Sequence, residues 1–304
     1  MSIVPGQRNL KVHFAGSEQI DFSMTLESAG VNYFLFTCFP FIAAKIGIKP
    51  YPITVRKPDV PKMINKLGKH VIMDSGLFTL MFGAHAGRRD EKFVSRWLDL
   101  LCTFVLENEL TCTCVEVDCQ KILGIPQSWM YREKMKQMLP NNRIINVFHI
   151  EDGQSGLDRL IEYSNYIAIS VPELRVIFGR GDSHRNAVTR FANYIKNKKP
   201  EIDIHLLGCT DLSLLKSLNF CTSSDSTSWR QVNRFGSVRV DKKILKRSEL
   251  NKNCLEYISN ESVIRILNKL NIEATDKRLE YYGFYYTYVK HLLKQYTEAA
   301  GDQT

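Results

Sequence analysis

Ile204-His-Leu-Leu-Gly-Cys-Thr-Asp-Leu-Ser-Leu-Leu-Lys-Ser-Leu-Asn-Phe-Cys-Thr-Ser-Ser-Asp-Ser-Thr-Ser-Trp229 reads as a strand, a short helix and a second strand. The first apolar run covers 204–208, the helical pattern 212–218 and the second run 220–224. A single acid, Asp225, closes the second run among small hydroxyl residues. Small side chains let a ligand approach the backbone, and hydroxyls orient a carboxylate. An ordinary Ser/Thr-rich turn with a solvated acid has the same composition. The stretch therefore gains meaning only beside others like it.

Others recur along the chain. Apolar and β-branched runs at 11–15, 33–38, 70–74, 112–118, 144–149 and 166–170 bring the expected strands to eight. Amphipathic segments separate several of them. In 92–108, Phe93, Trp97, Leu100, Leu101, Phe104 and Val105 share one helical face, and 128–139 and 185–197 read similarly. Strands alternating with helices imply parallel pairing. Eight of them imply an α/β fold of the closed (β/α)8, TIM-barrel type, whose chemistry sits at the C-terminal strand ends. An open doubly wound sheet is the competing architecture, but no Gly-rich dinucleotide fingerprint follows the first strand.

A chain of 304 residues is long enough for one such barrel with an extension. The barrel is expected over 1–238 and a basic, aromatic helical extension over 239–304. Arg239, Lys242, Lys243, Lys246 and Arg247 form a basic cluster with only Asp241 among them. With a formal net charge of +9, they favour a polyanion such as nucleic acid, held at its phosphates. A solvated face that touches nothing is the plainer account. Helical segments follow at 260–270 and 276–297. The second carries Tyr281, Tyr282, Phe284, Tyr285, Tyr286 and Tyr288, which suit packing on the barrel better than stacking on bases. Residues 1–11 lack the apolar core of a signal peptide, so a reducing cytoplasm with free thiols is expected. The most apolar window, 31–48, is interrupted by Asn32, Pro40 and Lys45, so no membrane span is expected.

Two further acids end apolar runs. In His70-Val-Ile-Met-Asp-Ser-Gly-Leu-Phe78, Asp74 is followed by Ser75 and Gly76, and the glycine permits a sharp turn. In Cys112-Thr-Cys-Val-Glu-Val-Asp118, alternation places Cys112, Cys114, Glu116 and Asp118 on one strand face. Acids at three strand ends would converge in one barrel mouth. Paired carboxylates there suit covalent glycosyl chemistry, one attacking and the other moving protons. Any one of them alone reads better as a helix cap, and it is the three together that favour function.

These motifs resemble those of tRNA-guanine transglycosylases. Asp74-Ser-Gly-Leu-Phe78 resembles the family's Asp-Ser-Gly-Gly-Phe/Tyr, and Val117-Asp-Cys119 its Phe-Asp-Glu-Cys. Ile167-Ala-Ile-Ser-Val-Pro-Glu173 resembles its Gly-Gly-Leu-Ala-Val-Gly-Glu strand. Leu206–Leu215 followed by Asp225 resembles the run that leads to the family nucleophile. The order agrees across about residues 70–235. There are departures. Only Cys254 and His291 lie beyond Asp225 to match the family's Cys-x-Cys-x-x-Cys…His zinc site, so no metal is expected. Val147-Phe-His149 stands where the family has Val-Gln-Gly, and Ala168-Ile169 where it has Gly-Leu. A short chain without that zinc looks like the DpdA-type branch, the 7-deazaguanine DNA transglycosylases often found in phage genomes.

The resemblance implies exchange of guanine in DNA for a 7-deazaguanine such as preQ0. It implies Asp225 as nucleophile and Asp74 as general acid/base. Ser75, Gly76, Asp118, Ala168, Ile169 and Ser170 would line the base pocket. His149 would join them, or be an ordinary strand-end histidine. No cofactor is implied. The partners implied are DNA, offered as a flipped or single-stranded guanine, and the free base, with a second copy of the chain as a further candidate. Two alternatives stand beside this: a true tRNA-guanine transglycosylase, and a catalytically inactive nucleic-acid-binding paralogue.

Overall fold

The structure, a computed structural model, describes residues 10–48, 59–67, 70–77, 90–230, 237–240, 243–246 and 261–301. Eight parallel strands close a barrel in sequence order: β1 Lys11–Ala15, β2 Phe34–Thr37, β3 Val71–Asp74, β4 Thr113–Val115, β5 Ile144–Phe148, β6 Tyr166–Ser170, β7 Asp203–Leu207 and β8 Ser223–Ser226. The ring is sealed by β8 against β1, with Lys11 opposite Ser223 and His13 opposite Asp225. The principal helices are α1 Ile20–Ser28, α2 Asp59–Leu67, α3 Glu91–Glu107, α4 Ile125–Met138, α5 Gly153–Tyr163, α6 Val171–Phe178, α7 Asp182–Lys198, α8 Leu212–Ser217, α9 Glu261–Lys269 and α10 Asp276–Ala300. The eight-stranded barrel expected from the apolar runs is present.

Local chemistry sets several helix starts. Asp90 caps α3 by accepting from the Phe93 N–H at 2.7 Å. Ser170 caps α6, with Pro172 in the first turn. Asp211 caps α8 through the N–H groups of Ser213 and Leu214.

Two apolar layers result. Alternation sends Ala15, Leu35, Ile72, Val115, Ile145, Val147, Tyr166 and Ala168 into the barrel interior. The opposite faces of the strands, including Phe14, Phe36, Met73, Cys114 and Ile169, pack under the surrounding helices. The interior is polar in one sector. His13 of β1, His205 of β7 and Ser223 of β8 are buried there, where a barrel ordinarily places branched aliphatics.

Two strand ends differ from expectation. β4 stops at Val115, so Asp118 lies in the loop beyond it. Glu116 shares no face with Asp118: it is buried against Arg132 of α4, which donates from Nε at 2.8 Å and from Nη2 at 3.0 Å. Asn146 and the Val147 N–H also donate to it. Asp225 sits inside β8 rather than after it.

The aromatic helix α10 buries Tyr282, Phe284, Tyr285, Tyr286, Tyr288 and Tyr296. Tyr285 meets Phe22 and Trp229 edge-on, and Tyr296 meets Phe14. These rings are core. In the basic segment, β9 Ser237–Val240 carries Arg239 and pairs antiparallel with β10 Lys243–Lys246. Lys242 and Arg247 lie outside the described residues, as does Cys254.

Candidate active site

The C-terminal ends of the strands carry two clusters of ionisable groups. The first joins β1, β2, β3, β7 and β8. Asp74 ends β3, and the Gly76 N–H donates to its Oδ2 at 2.9 Å. Gly76 has φ +71, and a Cβ there would fall 2.8 Å from Thr37 Oγ1 and 3.1 Å from the Phe39 backbone nitrogen. The motif therefore needs glycine. Ser75 is buried, and its carbonyl accepts from Cys38 Sγ and Trp97 Nε1, which pin the turn.

Burial pushes the Asp74 carboxyl up to about 6; the Gly76 N–H opposes this, and the nearby charges of Asp225 and Glu18 add to it. Asp225 Oδ1 accepts from the Gly208 N–H at 2.6 Å and lies 3.3 Å from His205 Nε2. Its carboxylate is held on one side by backbone and on the other by a wholly buried imidazole.

Glu18, in the loop after β1, was not picked out from the sequence. It is buried, accepts from the Thr37 N–H at 2.9 Å and lies 4.0 Å from Arg230. Burial raises its carboxyl as well, against the pull of the Thr37 N–H and Arg230. Three carboxyls thus share this side of the mouth. Ionising all three together is costly, and burial with the neighbouring charges of Asp225 and Glu18 holds the Asp74 carboxyl up.

The second cluster joins β4, β5 and β6. His149 Nε2 donates to Asp118 Oδ1 at 2.7 Å and Nδ1 to Glu173 Oε2 at 2.9 Å. Burial opposes the charged imidazole, but the two carboxylates outweigh it and raise His149 to about 10. Lys121 bonds both Glu173, at 3.0 Å, and Glu151. His149, Glu151 and Glu173 present ligand atoms within 4.8 Å of one another, a grouping compatible with a cation. Here the Lys121 ammonium and the protonated His149 already neutralise those carboxylates.

Of the residues expected at the pocket, Asp74 lies within electrostatic reach of Asp225 at one side of the mouth, and Ser75 and Gly76 form the turn that follows Asp74. Asp118 and His149 form the other side. Ala168 faces the interior below them, Ile169 packs outward under the helices, and Ser170 caps α6. A carboxylate and a second carboxyl whose pKa is raised to about 6 can support displacement at an electrophilic carbon with proton transfer. No protein-family model matches the chain, and no curated protein matches it.

Proposed function

We propose that this protein is a transglycosylase that replaces a guanine in DNA with a 7-deazaguanine. One observation carries the reading: Asp74 and Asp225 share a buried barrel mouth in which Asp74 titrates near 6, raised by burial with Asp225 contributing. The four motifs shared in order with the tRNA-guanine transglycosylases support the substrate class. The net charge of +9 supports a nucleic-acid partner.

Asp225 attacks C1′ of the target nucleotide, and the C1′–N9 bond breaks with its electron pair leaving on guanine. Asp74, protonated, supplies the proton the departing base needs. The incoming 7-deazaguanine then gives its N9 proton to Asp74 and displaces Asp225 from C1′. Two inversions retain the β configuration. Asp118 accepts from the N1–H and amino group of the base, while His149 fixes its carboxylate. The base must leave the stack to reach this depth.

The test is incubation with DNA and, separately, with tRNA, each with preQ0, followed by nucleoside mass spectrometry. A deazaguanosine released from DNA supports the proposal. The same product from tRNA alone moves the substrate to RNA, and no product from either removes the transglycosylase reading.

A further inference from the structure

Beneath Asp225 the barrel encloses a run of hydrogen-bonding side chains from three strands. The Tyr166 hydroxyl lies 2.5 Å from Ser223 Oγ. Ser223 Oγ lies 2.5 Å from His205 Nδ1. His205 Nε2 lies 3.3 Å from Asp225 Oδ1. All three supporting side chains are buried, and the register that sets His205 opposite both Ala168 and Ser223 assembles them.

Donors and acceptors fix the direction of the run. An ionised Asp225 only accepts, so His205 carries its proton on Nε2. In a neutral imidazole Nδ1 then accepts, and the Ser223 hydroxyl must donate to it. Ser223 Oγ is left to accept, and Tyr166 donates. Burial pushes the Tyr166 phenol above its ordinary range, which keeps that donor protonated. A doubly protonated His205 would donate from Nδ1 to Ser223 Oγ and leave one hydroxyl hydrogen of the Ser223–Tyr166 pair without an acceptor in the run. His13, its ring centroid 6.5 Å from that of His205, is held neutral by burial, at about 3.

We infer that Tyr166, Ser223 and His205 are positioning residues that orient Asp225 for attack through Oδ2. The inference rests on the proposed nucleophilic role of Asp225. Both fixed donors, Gly208 N–H and His205 Nε2–H, converge on Oδ1. As Oδ2 bonds to C1′ and the base departs with the C1′–N9 pair, Oδ1 becomes the carbonyl oxygen of the ester and keeps its donors. Fixing one oxygen removes rotation of the carboxylate before attack. The long Nε2–Oδ1 distance leaves room to tighten in the complex.

Two measurements test this on the full chain. In ¹⁵N NMR of the histidine-labelled protein, His205 should be the Nε2–H tautomer, and Tyr166→Phe or Ser223→Ala should mix the two tautomers. In single-turnover adduct formation with DNA, Tyr166→Phe should slow the step several-fold and His205→Ala about a hundredfold, at unchanged KM for DNA. His205→Gln, which retains an N–H donor, should recover part of that loss. Tyr166→Phe removes a single hydroxyl, so it separates positioning from a failure to fold. An Nδ1–H tautomer in the wild type, or a Tyr166→Phe protein with unchanged tautomer and rate, overturns the inference. If the wild type forms no adduct on DNA or tRNA, the transglycosylase reading fails by itself, and the NMR result still decides the hydrogen-bond run.

Discussion

Asp74 and Asp225 are the same side chain in different surroundings, and the difference fits the separate tasks proposed for them. Asp74 answers mainly to burial, with one backbone donor, and titrates near 6 against an ordinary 3.8. Between those values the folded protein holds a proton that the unfolded chain releases. Its contribution to stability is complete below 3.8 and is lost as pH rises through 6. Asp74→Asn should therefore stabilise the protein at pH 8, by about 1–3 kcal/mol, and have little effect at pH 3.5. Urea titrations at the two pH values measure this. Wild-type adduct formation should decline above pH 6, and Asp74→Asn, which lacks the acid, should be slow at every pH without that decline. Asp225→Ala and Asp225→Asn should each reduce base exchange about a thousandfold or more and leave no trapped adduct on denaturing gels. Full exchange by either variant would remove Asp225 as nucleophile.

At the level of elements, the βα connections do the positioning. Gly208 follows β7 at φ +63, where a Cβ would fall 2.8 Å from Pro172 Cγ in the first turn of α6. Its N–H also holds Asp225. Gly208→Ala should push α6 from the mouth, slowing exchange more than it lowers the melting temperature; a parallel loss of both would assign the glycine to folding alone. Deeper between strand and helix, Arg132→Met would leave Glu116 buried without its cation, at a cost of about 3–5 kcal/mol in chemical denaturation.

The strands were legible because apolar runs alternate with amphipathic segments. Asp74 and Asp225 were legible because each stands at or near the end of such a run. His205 was not, since a histidine inside Ile204–Gly208 reads as core. Its relation to Ser223 depends on the register of β7 on β8. Glu18 stands outside any run, and its place at the mouth rests on the Thr37 N–H and Arg230, distant contacts that the sequence does not show. Asp118 reads as the end of β4 only when alternation is carried past Val115, where the strand stops.

For the whole molecule, charge and connectivity matter most. The basic segment should hold phosphates without reading sequence. Neutralising Lys242, Lys243 and Lys246 together should weaken DNA binding alike across sequences and lower the slope of log K against log salt by up to about three. Exchange at saturating DNA should be unchanged, and an unaltered slope would place the groove elsewhere. The closure of β8 on β1 has a consequence for synthesis. His13 bonds to Ser224, 211 positions further along. At about 5–20 residues per second on the ribosome, the edge of β1 waits roughly ten to forty seconds for its partner. The strand that ends the wait carries Asp225. A nascent chain can make the Asp74 strand early, yet it acquires Asp225, the proposed nucleophile, only in the act of closing the ring, so interrupted synthesis should leave no partly active product.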